Sequence, residues 1–293
     1  MCGIRLIATD MDGTLIGDRP DRIPPGNIAA LREAADRGIT LALATGRLPD
    51  DAGFFALDAG LPMHILALNG NAWLPKPLGE VRAVNLMRPE DARRIRAMIE
   101  ELGLEYSLFG LHEAAFGSPP ADLKSAMLVL GTFLDRPGGR TRVWADGRHV
   151  EPLLEKASKF VVVGVGQAER LTRLRERVTA EVPGAEVTSS WADTLEIIPR
   201  NANKGKALMI LARRLGVPME QVMAIGDNDN DVSMLEVAGC AVAMANATPA
   251  AKRAAHWIAP DCRAEGVATA VRGLALGDSA CRNGLIPGGR LLN

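Results

Sequence analysis

Short apolar runs alternate with a helical pattern in the N-terminal part of the chain. The runs Ile4–Thr9, Ile39–Ala44 and Ile65–Leu68 each have the continuous apolar character that is typical of a strand buried on both faces. Between the first two runs, Pro24 and Pro25 precede apolar residues that recur at helical spacing from Ile28 to Ala35, and Gly38 stands where a helix C-cap would. This alternation predicts strand–helix–strand crossovers and therefore a parallel sheet.

Each of these predicted strands ends in small or polar residues. Asp10-Met11-Asp12-Gly13 follows the first run, Thr45-Gly46-Arg47 follows the second, and Asn69-Gly70 follows the third. In open parallel sheets, ligands bind beyond the carboxyl ends of the strands. The three polar segments are therefore expected to lie along one edge of the sheet.

The middle third of the chain has a different pattern. A helical spacing of apolar residues begins at Pro89, and apolar runs follow at Met127–Leu130 and Phe160–Val165, with a Pro-Gly-Gly turn at 136–140 between them. These runs do not end in chemically suggestive residues. We therefore predict an inserted α/β domain at residues 82–190 that shapes access to the site.

The strand and helix alternation resumes after this insertion. Thr194–Ile198 and Val222–Ile225 are predicted strands, and Lys204–Leu215 is a predicted helix with Asn203 as its N-cap. The second strand runs into Gly226-Asp227-Asn228-Asp229-Asn230-Asp231. This places a fourth polar segment at the predicted edge of the sheet.

The predicted fold class is α/β, with a Rossmann-like parallel sheet core and an inserted α/β cap domain. The predicted core is discontinuous and comprises residues 1–81 and 191–275. The Gly- and Arg-rich tail 276–293 shows little periodicity, so we expect it to be loosely held.

Composition narrows the functional classes. A chain of 293 residues with 47% hydrophobic and 24% charged residues can bury a large core. Its net charge of −1 argues against a broad nucleic-acid or membrane-surface footprint, and no apolar run approaches the ~18 residues of a membrane span. The four cysteines lack metal spacing, and no signal peptide precedes Asp10. We expect a cytoplasmic monomer or homodimer.

The polar segments together suit chemistry on a phosphate ester. Asp10 and Asp12 are two positions apart at a strand end, so one can act as a nucleophile while the other transfers protons. An anionic phosphate requires cations and hydrogen-bond donors, which Lys204 and Thr45 can supply. Asp227 completes a set of oxygen ligands that suits Mg²⁺, the expected cofactor.

These motifs, in this order, resemble those of the haloacid dehalogenase superfamily of phosphohydrolases. The chain is most similar to its Cof-type branch with a large α/β cap, called type IIB. The resemblance extends from about residue 4 to 273. It rests on the segments Asp10–Leu15, Thr45–Arg47, Lys204-Gly205 and Gly226–Asp231.

The resemblance implies a role for each matching residue. It implies that Asp10 is the nucleophile and that Asp12 is the general acid and base. Phosphate or substrate would be bound by Thr45, Gly46, Lys204, Asn230 and Asn69. The metal would be held by Asp10, the Asp12 main-chain carbonyl and Asp227, with Asp231 behind the direct ligands. For Arg47, between a contact with substrate and a brace of its loop through a salt bridge, we expect the brace.

The predicted function is magnesium-dependent hydrolysis of a small phosphate monoester through an aspartyl-phosphate intermediate. Sugar phosphates, sugar-phosphoglycerates and phosphorylated cofactors are the candidate substrates. A phosphosugar mutase that uses the same intermediate, a non-catalytic phospho-ligand sensor and a glutamine amidotransferase with a Cys2 nucleophile are the alternatives. An EF-hand at Asp227 is disfavoured, because Val232 and Ala238 replace its Gly and Glu.

Overall fold

The computed structural model describes most of the chain. The described residues are 3–17, 22–117, 140–145, 147–188, 193–200 and 202–290. The predicted run Met127–Leu130, most of the predicted turn at 136–140, and Cys2 lie outside these ranges.

The strands of the described residues are short and are numbered here in chain order. They are β1 (Leu6–Thr9), β2 (Thr40–Ala44), β3 (Met63–Ala67), β4 (Ala72–Leu74), β5 (Ala83–Val84), β6 (Glu105–Phe109), β7 (Glu113–Phe116), β8 (Arg142–Trp144), β9 (Lys159–Val163), β10 (Ala185–Thr188), β11 (Thr194–Pro199), β12 (Val222–Gly226), β13 (Cys240–Met244), β14 (Trp257–Ala259) and β15 (Ile286–Pro287).

The α-helices are numbered in the same way. They are α1 (Pro25–Asp36), α2 (Pro49–Asp58), α3 (Pro89–Glu101), α4 (Val150–Leu153), α5 (Ala168–Glu181), α6 (Lys204–Leu215), α7 (Val232–Val237), α8 (Pro249–Ala254), α9 (Gly266–Ala270) and α10 (Ser279–Arg282). All of the described helices are too short or too polar to span a membrane.

The chain divides into two compact units. The second unit interrupts the first along the sequence, as an insertion does. The first unit comprises residues 1–46, 52–82 and 203–293, and the second comprises residues 47–51 and 83–202.

The first unit contains a mainly parallel sheet. Its strands run in the order β15-β14-β13-β12-β1-β2-β3-β4, and β1 pairs in parallel with both β12 and β2. All four residues of β1 are buried, which explains why the strand appears in the sequence as a continuous apolar run. The predicted α/β fold class with a parallel sheet is confirmed.

Local sequence determines both ends of α6. The side chain of Asn203 accepts a hydrogen bond from the backbone N–H of Lys206 at 2.8 Å, so the predicted N-cap is confirmed. Gly216 ends the helix in the left-handed conformation at φ 65°. The helix is therefore held with Lys204 in its first turn.

Within the part of the chain that the structure describes, the second unit contains a six-stranded, largely antiparallel sheet in the order β10-β11-β9-β6-β7-β8. One face of this sheet packs on α3 and α5 in an apolar core that includes Ile95, Leu174 and Phe160. The strand that we predicted at the start of the returning core, Thr194–Ile198, belongs instead to this unit. As β11 it pairs antiparallel with β9 and β10, because partner choice depends on long-range register and not on the local apolar run.

Residues 279–290 of the C-terminal segment form regular elements and turns. Helix α10 is capped by the side chain of Asp278, and β15 pairs antiparallel with β14. These contacts lie in the region that we expected to be loosely held.

Candidate active site

Polar residues extend from the carboxyl ends of adjacent parallel strands of the first unit. Asp10 directly follows β1, Thr45 follows β2, and Asp227 follows β12. Because β12, β1 and β2 are neighbours in the sheet, these three residues come to one edge. Lys204, in the first turn of α6, reaches the same place.

The ammonium group of Lys204 is the centre of this cluster. Its Nζ lies 2.6 Å from Oδ1 of Asp10 and 2.6 Å from Oδ1 of Asp231, and the side chain is fully buried. These are charge-assisted hydrogen bonds of short length. Lys204 therefore joins the first and fourth motifs through residues that are 194 and 27 positions away in sequence.

Asp231 organises the loop that contains Asp227. Its Oδ2 accepts hydrogen bonds from the backbone N–H groups of Asp227 and Asn228, both at 2.9 Å. Its Oδ1 accepts the hydrogen bond from Lys204. Since both oxygens of Asp231 are already engaged by the protein, this residue is placed to hold the loop in shape.

Asp227 approaches the first motif closely. Its Oδ1 accepts a hydrogen bond from Oγ1 of Thr14 at 2.7 Å. Gly13 has a φ of +80°, and a Cβ added there would lie 2.5 Å from Oδ2 of Asp227, so a side chain at this position would displace the carboxylate. The carbonyl of Gly13 accepts a further hydrogen bond from Asn246 at 2.8 Å.

The cluster carries more negative than positive charge. Among the described residues, carboxylate oxygens of Asp10, Asp227 and Asp231 lie within 4.8 Å of one another. Burial, followed by repulsion from Asp231, raises the pKa of Asp10 well above its usual value and that of Asp227 to about 6. Burial alone would lower the pKa of Lys204, but the carboxylates of Asp10 and Asp231 outweigh it and the net pKa is raised.

Hydrogen bonds also connect the polar segments that follow β2, β3 and β12. The carbonyl of Thr45 accepts a hydrogen bond from the N–H of Asn69 at 2.9 Å, and Oδ1 of Asn69 accepts one from Nδ2 of Asn230 at 3.2 Å. Leu68 and Asn69 both have positive φ, at 53° and 56°. Such a conformation is costly for a leucine and is concentrated at functional sites.

The remaining predicted residues have different surroundings. Asp12 lies half-buried in the turn after β1, whereas Asp10 is buried. Gly46 follows Thr45 and is half-buried. Arg47 belongs to the second unit, where its guanidinium forms an ion pair with Asp51 at 2.9 Å.

Several contacts that shape the site were not predicted from the sequence. Thr14 lies inside the first motif but was given no role, and Ser233 accepts a hydrogen bond from the N–H of Gly205 at 3.1 Å. The local sequence gives no sign of the Asn246 contact with Gly13 or of the positive φ of Leu68. Only Thr14 could have been suspected, from its place beside Gly13.

Comparisons with known proteins identify the family. A family model described as haloacid dehalogenase-like hydrolase matches residues 7–271. The 5-amino-6-(5-phospho-D-ribitylamino)uracil phosphatase of Bacillus subtilis is 28% identical over 92% of this chain and 95% of its own. The pyridoxal phosphate phosphatase of Escherichia coli is 29% identical over 90% of this chain and 96% of its own.

A solved structure of the same family resembles this chain over most of its length. A haloacid dehalogenase-like hydrolase from Bacillus subtilis superposes with a TM-score of 0.78 at 25% identity, covering 92% of this chain and 100% of that one. The resemblance inferred from the four motifs is thus confirmed. The chain belongs to the haloacid dehalogenase-like hydrolase family.

Proposed function

We propose that the protein is a magnesium-dependent phosphatase that hydrolyses a small phosphate monoester through an aspartyl-phosphate intermediate on Asp10. The observation that carries this proposal is the buried carboxylate of Asp10, oriented by Lys204 at 2.6 Å within a group of further carboxylates. The two relatives described above, both phosphatases of small phosphorylated molecules by name, support the same substrate class.

In the first half-reaction, a carboxylate oxygen of Asp10 attacks the phosphorus atom. The bond from phosphorus to the leaving oxygen breaks, and Asp12 donates a proton to that oxygen. The Lys204 ammonium, which bonds Oδ1 of Asp10, orients the nucleophile and offsets negative charge as the phosphoryl group arrives. The half-exposed position of Asp12 suits a group that must exchange protons with solvent.

In the second half-reaction, water attacks the phosphorus atom of the aspartyl phosphate. Asp12 accepts a proton from this water, and the bond from phosphorus to the Asp10 oxygen breaks. Inorganic phosphate leaves, and the carboxylate of Asp10 and the protonated Asp12 are restored. The two aspartates thus divide nucleophilic and proton-transfer work.

The residues present fit a magnesium ion. Asp10, Asp227 and the main-chain carbonyl of Asp12 would hold it, while Asp231 supports the loop from behind. Three carboxylates gathered around one ammonium group form an oxygen-rich site with excess negative charge, which is the donor set of a hard divalent cation. When bound, Mg²⁺ would offset the charge of the phosphate and of the attacking carboxylate.

Residues around this centre would bind the phosphate oxygens. Thr45 and Gly46 lie in the turn after β2, and Asn69 and Asn230 are held together by their side-chain hydrogen bond. Their hydroxyl, amide and backbone N–H groups supply hydrogen-bond donors. The ion pair with Asp51 supports a bracing role for Arg47.

The decisive experiment measures phosphate release from sugar phosphates and phosphorylated cofactors, with Mg²⁺ and with EDTA. We expect metal-dependent release from the parent protein, none from Asp10→Asn, and a loss on the order of 10²- to 10⁴-fold in Asp12→Asn. Asp229→Asn is the matched control, because Asp229 is exposed in the same loop and accepts a hydrogen bond from Thr248.

Calorimetry would check that each variant is folded. Normal turnover by Asp10→Asn would exclude the aspartyl-phosphate mechanism. Undiminished release in EDTA would exclude the metal requirement.

A further inference from the structure

The C-terminal segment Ile286–Arg290, called here the terminal clip, lies beyond the part of the chain that the family model matches. Backbone hydrogen bonds hold it against the first unit. Gly288 donates to the carbonyl of His256 at 2.8 Å, Gly289 donates to Lys252 at 3.1 Å, and Arg290 donates to Ala255 at 2.9 Å. The clip is therefore docked at each of its last three residues.

The two glycines of the clip are needed for this docking. A Cβ at Gly288 would clash with the carbonyl oxygen of Ala255, and one at Gly289 would lie 2.8 Å from the Cα of Arg253. Both neighbours are backbone atoms, which cannot move aside as a flexible side chain can. The Gly288-Gly289 pair thus permits a close backbone approach that a freely exposed tail would not require.

The docked backbone directs the side chain of Arg290 to α7. Its guanidinium donates to the carbonyl of Leu235 at 2.7 Å and to that of Ala238 at 3.4 Å. These carbonyls belong to the last turn of α7 and its C-cap, where helical carbonyls lack intrahelical partners and the helix dipole is negative. Arg290 supplies hydrogen-bond donors to these carbonyls and a positive charge at the negative end of the helix dipole.

Helix α7 connects this contact to the loop Asp227–Asp231. It begins at Val232, directly after Asp231, and has six residues. A helix of this length is only about 9 Å long and behaves as one short rigid piece. Holding its C-terminal end therefore restrains its N-terminal end, where Asp231 bonds the backbone of Asp227 and the ammonium of Lys204.

We propose that Arg290, carried by the terminal clip, is a positioning residue that acts through α7 to hold the Asp227–Asp231 loop in its metal-binding geometry. The inference rests on the proposed function, since only there does this loop bind a metal. It adds that the metal site depends on Arg290, a residue 59 positions beyond Asp231 in the sequence.

The test is direct binding of Mn²⁺ alone to the full-length protein, measured by electron paramagnetic resonance. Arg290→Ala and Arg290→Lys would be compared with the parent protein. Arg282→Ala is the matched control, because Arg282 lies in the same C-terminal region but stacks 5.7 Å from the ring of Trp257 and serves another element. Each variant would be assayed well below its own melting temperature.

We expect the Kd for Mn²⁺ to rise about threefold to tenfold in Arg290→Ala, less than the effect of losing a direct partner of a ligand. Arg290→Lys should recover part of this loss, since one ammonium can still donate to Leu235, and Arg282→Ala should bind as the parent does. Activity should follow Mn²⁺ occupancy, with the rise in the metal requirement larger than any rise in KM for the ester.

Parent-like Mn²⁺ affinity in Arg290→Ala would overturn this inference even if the variant melts at a lower temperature, because the arginine would then serve stability alone. Failure of the parent protein to bind Mn²⁺ and release phosphate would overturn the proposed function as well. The two failures are therefore distinguishable.

Discussion

Each unit of the protein buries a lysine beside carboxylate, but the two clusters differ in how many carboxylates the described contacts gather around the ammonium group. In the first unit, Lys204 lies 2.6 Å from Asp10 and 2.6 Å from Asp231, and Asp227 adds a third carboxylate to the group. In the second unit, Lys159 lies 3.4 Å from Glu196 and its Nζ is 5.1 Å from the centre of the Phe109 ring. Both lysine side chains are nearly inaccessible to solvent.

The difference indicates what each cluster is for. A lysine paired with a glutamate can be retained inside a sheet without any ligand, because the two charges sum to zero. Several carboxylates around one ammonium leave negative charge that the described protein groups do not offset. Such an arrangement, with raised carboxyl pKa values, is typical of a site that binds a cation or a substrate.

The largest effect is expected from Lys204→Met. Removing the ammonium leaves the carboxylates of Asp10 and Asp231 facing each other without their shared donor, so the free energy of unfolding should fall by about 3–5 kcal/mol in metal-free buffer. Phosphate release should fall about 10²- to 10³-fold with the loss of this positive charge. Calorimetry and the phosphate-release assay would measure the two effects.

Added Mg²⁺ should restore part of the lost stability in Lys204→Met, because a cation can offset the same carboxylates. A variant that is as stable and active as the parent would show that the excess charge is not important. The additional carboxylates around Lys204 would then not distinguish its cluster from that of Lys159.

In the second unit we expect an effect of similar size on stability and none on phosphate release. Glu196→Leu leaves the Lys159 ammonium buried without this partner and should cost about 3–5 kcal/mol. The double variant Lys159→Met/Glu196→Leu removes both charges, and most of that cost should be recovered. Thermal unfolding of both variants would provide the measurement, and a double variant as unstable as the single would show that the pair is more than a neutral structural contact.

The smallest effect concerns Asp50, a buried aspartate of the second unit. Burial alone would raise the pKa of its carboxyl group, but interactions with His112, the N–H of Arg140 and the hydroxyl of Thr141 outweigh this and lower it to about 2. A depressed pKa stabilises the folded state at pH values above the unfolded-state pKa, and this stability is lost as the pH falls through the folded-state pKa. Asp50 is therefore the opposite of Asp227, whose pKa is raised.

Asp50→Asn should lower the free energy of unfolding by about 2 kcal/mol near neutral pH. The difference from the parent should shrink between about pH 4 and pH 2, where the parent carboxylate becomes protonated. Denaturant titrations across this pH range would measure the free energies of unfolding of both proteins. A difference between them that stays constant down to pH 2 would show that ionisation of Asp50 does not contribute to stability.

Much of the fold and of the candidate site could be predicted from local patterns. Strands buried on both faces appear as apolar runs, so the predicted run Ile39–Ala44 contains the observed strand β2, Thr40–Ala44. Helix α6 was predicted from its apolar spacing and its Asn203 cap, and the structure begins and ends it at Lys204 and Leu215. The four polar segments were recognisable because their residue types stand at the ends of such strands.

The sequence by itself therefore determined the α/β class, the family and the residues that gather at the strand ends. Only the tertiary structure decided which sheet β11 joins, that Thr14 bonds Asp227 across 213 positions, and that Arg290 reaches α7 across 55. Periodicity reports whether a residue is buried, and this is a local property of the chain. The choice of partner depends on the packing of segments that are distant in sequence, and no local pattern contains it.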